Sequence, residues 1–243
     1  MLTTISATRK EVLKLLSIFD IIGPIMIGPS SSHTAGAARL ARVARRLAGR
    51  PFTHVTFGLY GSFHDTYMGH GTDLALLAGA LGYQEDDEAL RDAKAHAKAA
   101  GITYNFQQAD LSNFHENSVE ITFHFSEGDP FQVIGSSIGG GQIAIYRVDG
   151  METEFSANAP TLLVFHRDRR GIISEISKIL SDAGINIGLM RYTRRAKGCF
   201  ACAVIEMDDI ATPQVVTQIA ALPEVYSAQA VDLVEQEGST HAI

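Results

Sequence analysis

Three consecutive serines, a histidine and a threonine stand together in "GPIMIGPSSSHTAG" (residues 23–36), between an apolar run and a helix-like segment. The N-terminus of a helix presents unpaired N–H groups and a partial positive charge, so it attracts a carboxylate or a phosphate. Ser30, Ser31, Ser32 and Thr34 add hydroxyls there, and His33 can donate, accept or carry a proton near neutral pH. Read alone, the cluster is either a cap, since Ser and Thr are favoured at that position, or one wall of an active site.

Three further stretches bear on that choice. In "GSFHDTYMGHGTDLALLAGALG" (residues 61–82), Gly69 and Gly71 flank His70, and Thr72 or Asp73 can cap the helix that follows. Glycines beside a histidine let the backbone fold tightly and bring an imidazole close to a ligand. "FHENS" (114–118) sets His115, Glu116 and Asn117 just before a strand. "GSSIGGGQI" (135–143) carries Gly139, Gly140 and Gly141, whose successive N–H groups can form an anion nest or a hairpin turn. Sites are built from converging groups, so several such loops in one chain favour the site.

Other chemistries find less support. Neither the dinucleotide-binding glycine fingerprint nor a P-loop is present, and His33, His64 and His70 lack the HExxH spacing of a zinc hydrolase, so no residue is assigned to a metal. Cys199 and Cys202 of "CFAC" point to opposite faces if they lie on a strand, and both are expected to be packing residues. Two cysteines cannot complete a four-thiolate zinc site or an iron–sulfur cluster. The lysines sit in segments that read as exposed, so no pyridoxal cofactor is expected. A net charge of −7 argues against a nucleic-acid footprint. No apolar run approaches the ~18–20 residues of a membrane span. The start lacks signal-peptide architecture and the cysteines form no disulfide framework, which leads to a cytoplasmic expectation.

These residues need elements to hold them. Helical spacing marks "TRKEVLKLLSIFD", then "SSHTAGAARLARVARRLAG" ending at Gly49, "GTDLALLAGALG", and an exposed alanine-rich "DDEALRDAKAHAKAAG". Arg39, Arg42 and Arg46 form one flank of the second of these, either solvated or facing an acidic surface. "FTHVTFGLYG" reads as a strand; "SVEITFHF", "PFQVIGSSIG" and "GQIAIYRVD" read as three antiparallel neighbours. A boundary falls near Ser156–Pro160. Beyond it the order is strand Thr161–His166, helix Gly171–Ala183, strands Ile185–Arg194 and Cys199–Met207, helix Pro213–Leu222 and strand Val225–Val234: βαββαβ, ferredoxin-like.

In this order, "GPSSSHTAG", "GHGTDLALLAGALG", "HEN" and "SSIGGGQI" resemble the beta chain of iron–sulfur-dependent L-serine dehydratase over about residues 17–148. The second part resembles an ACT domain. The resemblance implies an α+β chain with a serine dehydratase beta-type α/β domain over 1–156 and an ACT domain over 160–235. It implies a lyase that turns L-serine into pyruvate and ammonia together with an alpha chain holding a [4Fe-4S] cluster; a monovalent cation is a further candidate cofactor. By motif position, Ser30, Ser31, Ser32, Thr34, Asn117 and Gly139–Gly141 contact substrate or the cluster edge. His33 and His70 are the alternatives for proton transfer, with Asp73 in the same wall as His70. His64 and Asp65 stand where small or apolar residues are expected. In the ACT-like part, His166, Asp168, Gly171 and Asn186 match effector-binding positions, Arg170 replaces the usual proline, and self-association is expected. The competing reading is a non-catalytic serine-binding regulatory subunit, like the regulatory domains of some phosphoglycerate dehydrogenases.

Overall fold

The computed structural model describes residues 25–232; the helix expected around Val12–Phe19 and the last residues of the final strand lie outside them. Two sheets organise the chain. The first has six strands in the order β2-β1-β3-β4-β5-β6: β1 His54–Leu59, β2 Thr103–Gln108, β3 Ser118–His124, β4 Phe131–Gly139, β5 Gln142–Val148 and β6 Met151–Phe155. Only β1 and β2 pair in parallel, and the connection between them carries the helices that a parallel crossover requires. Strands β3, β4 and β5 are the expected antiparallel neighbours.

Helix α1 (Ala37–Ala48) buries Leu40, Val43 and Leu47, spaced at about one and two turns, and stops at Gly49 with φ 66°. After the short α2 (Ser62–Thr66), α3 (Thr72–Leu81) is apolar around most of its circumference and lies buried against α1. The alanine-rich segment begins as a 3-10 turn and continues as α4 (Ala93–Ala99), which buries only Ala93 and Ala97. Val55, Phe57, Ile121, Phe123 and Val133 fill the sheet side of this core. The opposite face of β1–β3 is polar: His54 contacts Thr103 and Asn105, and Thr56 contacts Asn105 and His124.

The second sheet has the order β10-β7-β9-β8, all antiparallel: β7 Thr161–Arg167, β8 Ile187–Arg194, β9 Phe200–Met207 and β10 Val225–Val231. Helices α5 (Ile172–Asp182) and α6 (Pro213–Ala220) cover one face, with Ile172, Ile176, Leu180, Val215 and Ile219 packed on Leu162, Val164, Ala203 and Ile205. Thr212 caps α6 by accepting from the Val215 N–H, and Gly184 adopts φ 74° after α5, as their positions predict. The other face carries Leu163, Phe165, Cys202 and Val204, which join the core of the first unit. Both faces of β7 and β9 are therefore covered by the chain itself, whereas β8 keeps Leu189 and Tyr192 exposed.

Three expectations need correction. Strands β2 and β6 are additional: "TYNFQQ" lacks a run of aliphatic residues, and "METEF" falls in the stretch leading to the boundary. Cys202 is a packing residue, its thiol pushed up to about 12 by burial, but Cys199 is exposed just before β9. The arginine flank of α1 is not simply solvated. Arg42 is buried in an ion pair with Glu85 at 3.0 Å, and Arg39 reaches carbonyls of two loops; Arg46 alone is exposed. His64 and Asp65 pair with each other at 3.1 Å on an exposed turn of α2.

Candidate active site

The serine–histidine stretch turns into a helix through a wider first turn. Ser31–Gly36 is a π-turn, in which the Ala35 N–H reaches back five residues to the Ser30 carbonyl. Ser30 is the cap: its hydroxyl accepts from the His33 N–H at 3.0 Å. Gly36 is required because the Ser137 hydroxyl of β4 occupies the place of a Cβ. Thr34 is buried and its hydroxyl donates to the His70 carbonyl at 3.3 Å, fastening the second histidine loop to the first.

That fastening brings the two imidazoles together. The rings of His33 and His70 lie 5.0 Å apart, and His33 also meets the edge of Phe63 at 5.3 Å. His33 Nε2 is 3.0 Å from the Ser62 hydroxyl. The His33 pKa is held below its usual 6.5, first by burial and then by His70, while hydrogen bonding at Ser62 and the charge of Glu116 oppose the shift. An imidazole so placed is neutral at pH 7 and can accept a proton. His70 is exposed on its loop, where Gly71 adopts φ 69°. Gly61 lets the "HEN" loop approach: a Cβ there would stand 2.6 Å from the Glu116 carbonyl oxygen.

The third and fourth motifs close the other side. Asn117 and Ser137 are neighbours across β3 and β4, the Ser137 N–H donating to the Asn117 carbonyl at 3.0 Å. Asn117 Oδ1 and Ser137 Oγ are both buried and have no hydrogen-bond partner. Leaving such atoms unpaired costs about 1–3 kcal/mol each, so they mark a place for water or a ligand. Gly139, Gly140 and Gly141 all have positive φ (99°, 60° and 74°), and a Cβ at Gly139 would lie 4.0 Å from Ser32 Oγ. Ser31 and Ser32 are half-buried on the same turn.

The four motifs thus converge, but not every expected residue faces the cleft. Asp73 is buried with its carboxylate 2.8 Å from Lys94, a pairing that raises the lysine's pKa, and so it is committed to α4 instead of the histidine pair. Ser30 and Thr34 spend their side chains on the cap and the loop clasp. Ser62, at His33, and Ser137, packed on Gly36, join the site's contacts; they fall inside two motifs, yet nothing in their spacing marks them. The neighbouring Thr72 hydroxyl is buried and unpartnered as well.

The expected effector residues do not converge within one chain. His166 is buried at one end of β7, 5.5 Å from the ring of Tyr192, with Nε2 unpartnered. Asp168 accepts from Tyr192 (2.8 Å), Arg194 (3.0 Å) and the Gly198 N–H (2.9 Å). Gly171 (φ 85°) leads into α5. Asn186 donates to Asp208 at 2.7 Å. His166 pairs with Ala201, whereas Ile187, next to Asn186, pairs with Met207. Six residues of strand separate those rows, roughly 20 Å.

The Asp168 contacts hold its carboxyl at about 2, below the usual 3.8, chiefly through the Gly198 N–H and then the Tyr192 hydroxyl. Asp168→Asn is expected to loosen the β8–β9 hairpin at pH 7. The difference in stability from the unaltered protein should shrink as the pH falls from about 4 towards 2, because the native carboxylate is being protonated. Denaturant titrations of both proteins across that range check this; a constant difference would refute it.

The fold is mixed α+β, and a π-turn, two glycine-bearing loops and a hairpin meet around the His33–His70 pair. Residues 17–147 match the serine dehydratase beta chain family, and the chain belongs to that family. It is 42% identical over 213 residues to a probable L-serine dehydratase beta chain of Bacillus subtilis (strain 168), covering 88% of this chain and 96% of that one. It is 38% identical over 218 residues to the L-serine dehydratase beta chain of Peptoniphilus asaccharolyticus, covering 89% and 98%. D-3-phosphoglycerate dehydrogenase of Mycobacterium bovis matches at 28% over 151 residues, 61% of this chain and 28% of that one. Among the described residues no helix is long and apolar enough to cross a membrane.

Proposed function

We propose that this chain completes the active site of a heteromeric L-serine dehydratase whose alpha chain holds a [4Fe-4S] cluster, and that it acts on L-serine to give pyruvate and ammonia. The meeting of the motifs around the π-turn carries this reading: His33 and His70 are paired there, and the buried, unpartnered Ser137 Oγ packs against Gly36, with unpartnered Asn117 Oδ1 on the adjoining residue. The chain's own donors do not fit a cluster: Cys202 is buried in the core and Cys199 is exposed at the start of β9. Among the described residues no three His, Cys, Asp or Glu side chains are grouped for a metal. No step is therefore assigned to iron in this chain.

The residues present suit binding and proton transfer. The Gly139–Gly141 backbone and the Ser31 and Ser32 hydroxyls are donors for the substrate carboxylate. Asn117 Oδ1 is an acceptor for its ammonium group. Neutral His33, oriented by Ser62, takes the Cα proton. Loss of that proton and of the β-hydroxyl as water leaves an aminoacrylate, which tautomerises and hydrolyses to pyruvate and ammonia.

Co-expression with a cysteine-bearing alpha chain under anaerobic conditions should yield a complex that co-purifies and forms pyruvate from L-serine. A folded chain that binds no such partner would rule the proposal out. An intact complex whose turnover ignores substitutions at His33 and His70 but whose serine response changes would establish the regulatory reading instead.

A further inference from the structure

Arg39 connects two parts of the molecule that share no other described side-chain hydrogen bond. It leaves α1 half-buried between the hairpin of the candidate site and the connection from β6 to β7. One arm, Nη1, donates to the Gly141 carbonyl at 3.5 Å. The other, Nη2, donates to the Ala157 carbonyl at 3.4 Å and to Asn158 Oδ1 at 3.2 Å. Its Nε is buried and unpartnered.

The connection is shaped to meet it. Ala157 is buried to 2% exposure and holds φ at 54°, a left-handed conformation unfavourable for a residue with a Cβ. Its carbonyl is one of the acceptors of the guanidinium. A planar fork spans acceptors on two sides, which a lysine ammonium cannot do in the same geometry. On the far side of the hairpin, Gly139 lies against Ser32 of the π-turn.

We propose that Arg39 is a positioning residue: it transmits the placement of the Ser156–Pro160 connection, and so of the second sheet, to the Gly139–Gly141 wall of the cleft. The inference rests on the proposed function only for its effect on turnover. A shift of the second sheet moves the Ala157–Asn158 acceptors, and the guanidinium carries that displacement to Gly141.

Hydrogen exchange on the full-length chain tests the strut without catalysis. Arg39→Gln should speed exchange of amides 138–142 and 157–158 about tenfold, as expected for losing hydrogen bonds to a charged group, with β1 and β3 amides unchanged. Arg39→Lys should behave like Arg39→Gln. Asn158→Ala, which touches only the connection, should still speed the hairpin amides, by about threefold. Unchanged hairpin exchange in Asn158→Ala would overturn the proposal; so would uniform acceleration throughout the chain in Arg39→Gln, which would make the arginine a general stabiliser. In the assembled complex, Arg39→Gln should raise KM for L-serine about tenfold while kcat stays within about threefold. Absence of pyruvate with the unaltered chain would defeat the proposed function and leave the exchange result standing.

Discussion

On the proposed function, His33→Ala is expected to lower turnover of the assembled complex by about 10²–10⁴-fold, the range for removing a general base, while the complex still forms. His33 contacts Ser62, Phe63 and His70 and is half-buried, so its loss leaves the cap at Ser30 and the core untouched. The measurement is kcat and kcat/KM for L-serine, with co-purification as the control. A reduction of less than tenfold would remove His33 from proton transfer.

The pH profile adds a directional check. His33 must be neutral to accept a proton, so its lowered pKa places the acid limb of kcat/KM below pH 6.5. His70→Gln removes the second of the two effects that lower it, and the limb moves up in pH. Glu116→Gln removes an opposing charge, and the limb moves down. The same shift acts on stability: folding favours neutral His33, and that contribution, present above 6.5, is lost as the pH falls through the lowered value.

Gly79→Ala has the largest expected effect on folding. The substitution raises helix propensity by about 1 kcal/mol in isolation. In α3, however, a Cβ at Gly79 would collide with the Ala38 carbonyl and come within 3.0 Å of Ala41 Cβ on α1. Overpacking of this kind costs about 1–3 kcal/mol, and a backbone atom has no rotamer with which to yield. Near the upper end, a net loss of about 2 kcal/mol remains, a fall in Tm of roughly 4–8 °C for a chain of this size. Gly188→Ala on β8 meets nothing closer than 3.6 Å and should change stability by less than about 0.5 kcal/mol. Thermal melts of both variants decide the matter; equal melting temperatures would show that α1 and α3 can separate without cost.

Much of this architecture follows from local pattern. Alternating apolar residues mark β3, and the Thr212-Pro213 cap and Gly184 delimit helices wherever they occur, because a strand's period and a cap's hydrogen bonds are properties of a few adjacent residues. The clustering of hydroxyls, histidines and glycines is equally local, which is why all four motifs are visible before any fold is known. Strand β2 escaped that pattern because its six residues depend on pairing with β1 and carry little apolar content of their own.

The roles of single residues are a different matter. By resemblance Asp73 belongs in the same wall as His70 but is claimed by Lys94 from another helix, and Asp168 matches an effector position but is saturated by β8 and the β8–β9 turn. Arg39 reads as an edge of a basic helix and proves to bridge two loops more than a hundred residues further along the chain. Composition and periodicity reach only a residue's own element, and they settled most of the elements, β2 and β6 excepted, and which motifs bear polar chemistry. Which side chain meets which depends on contacts between segments remote in sequence, where excluded volume and the pairing of buried polar atoms choose one partner among several of the right type.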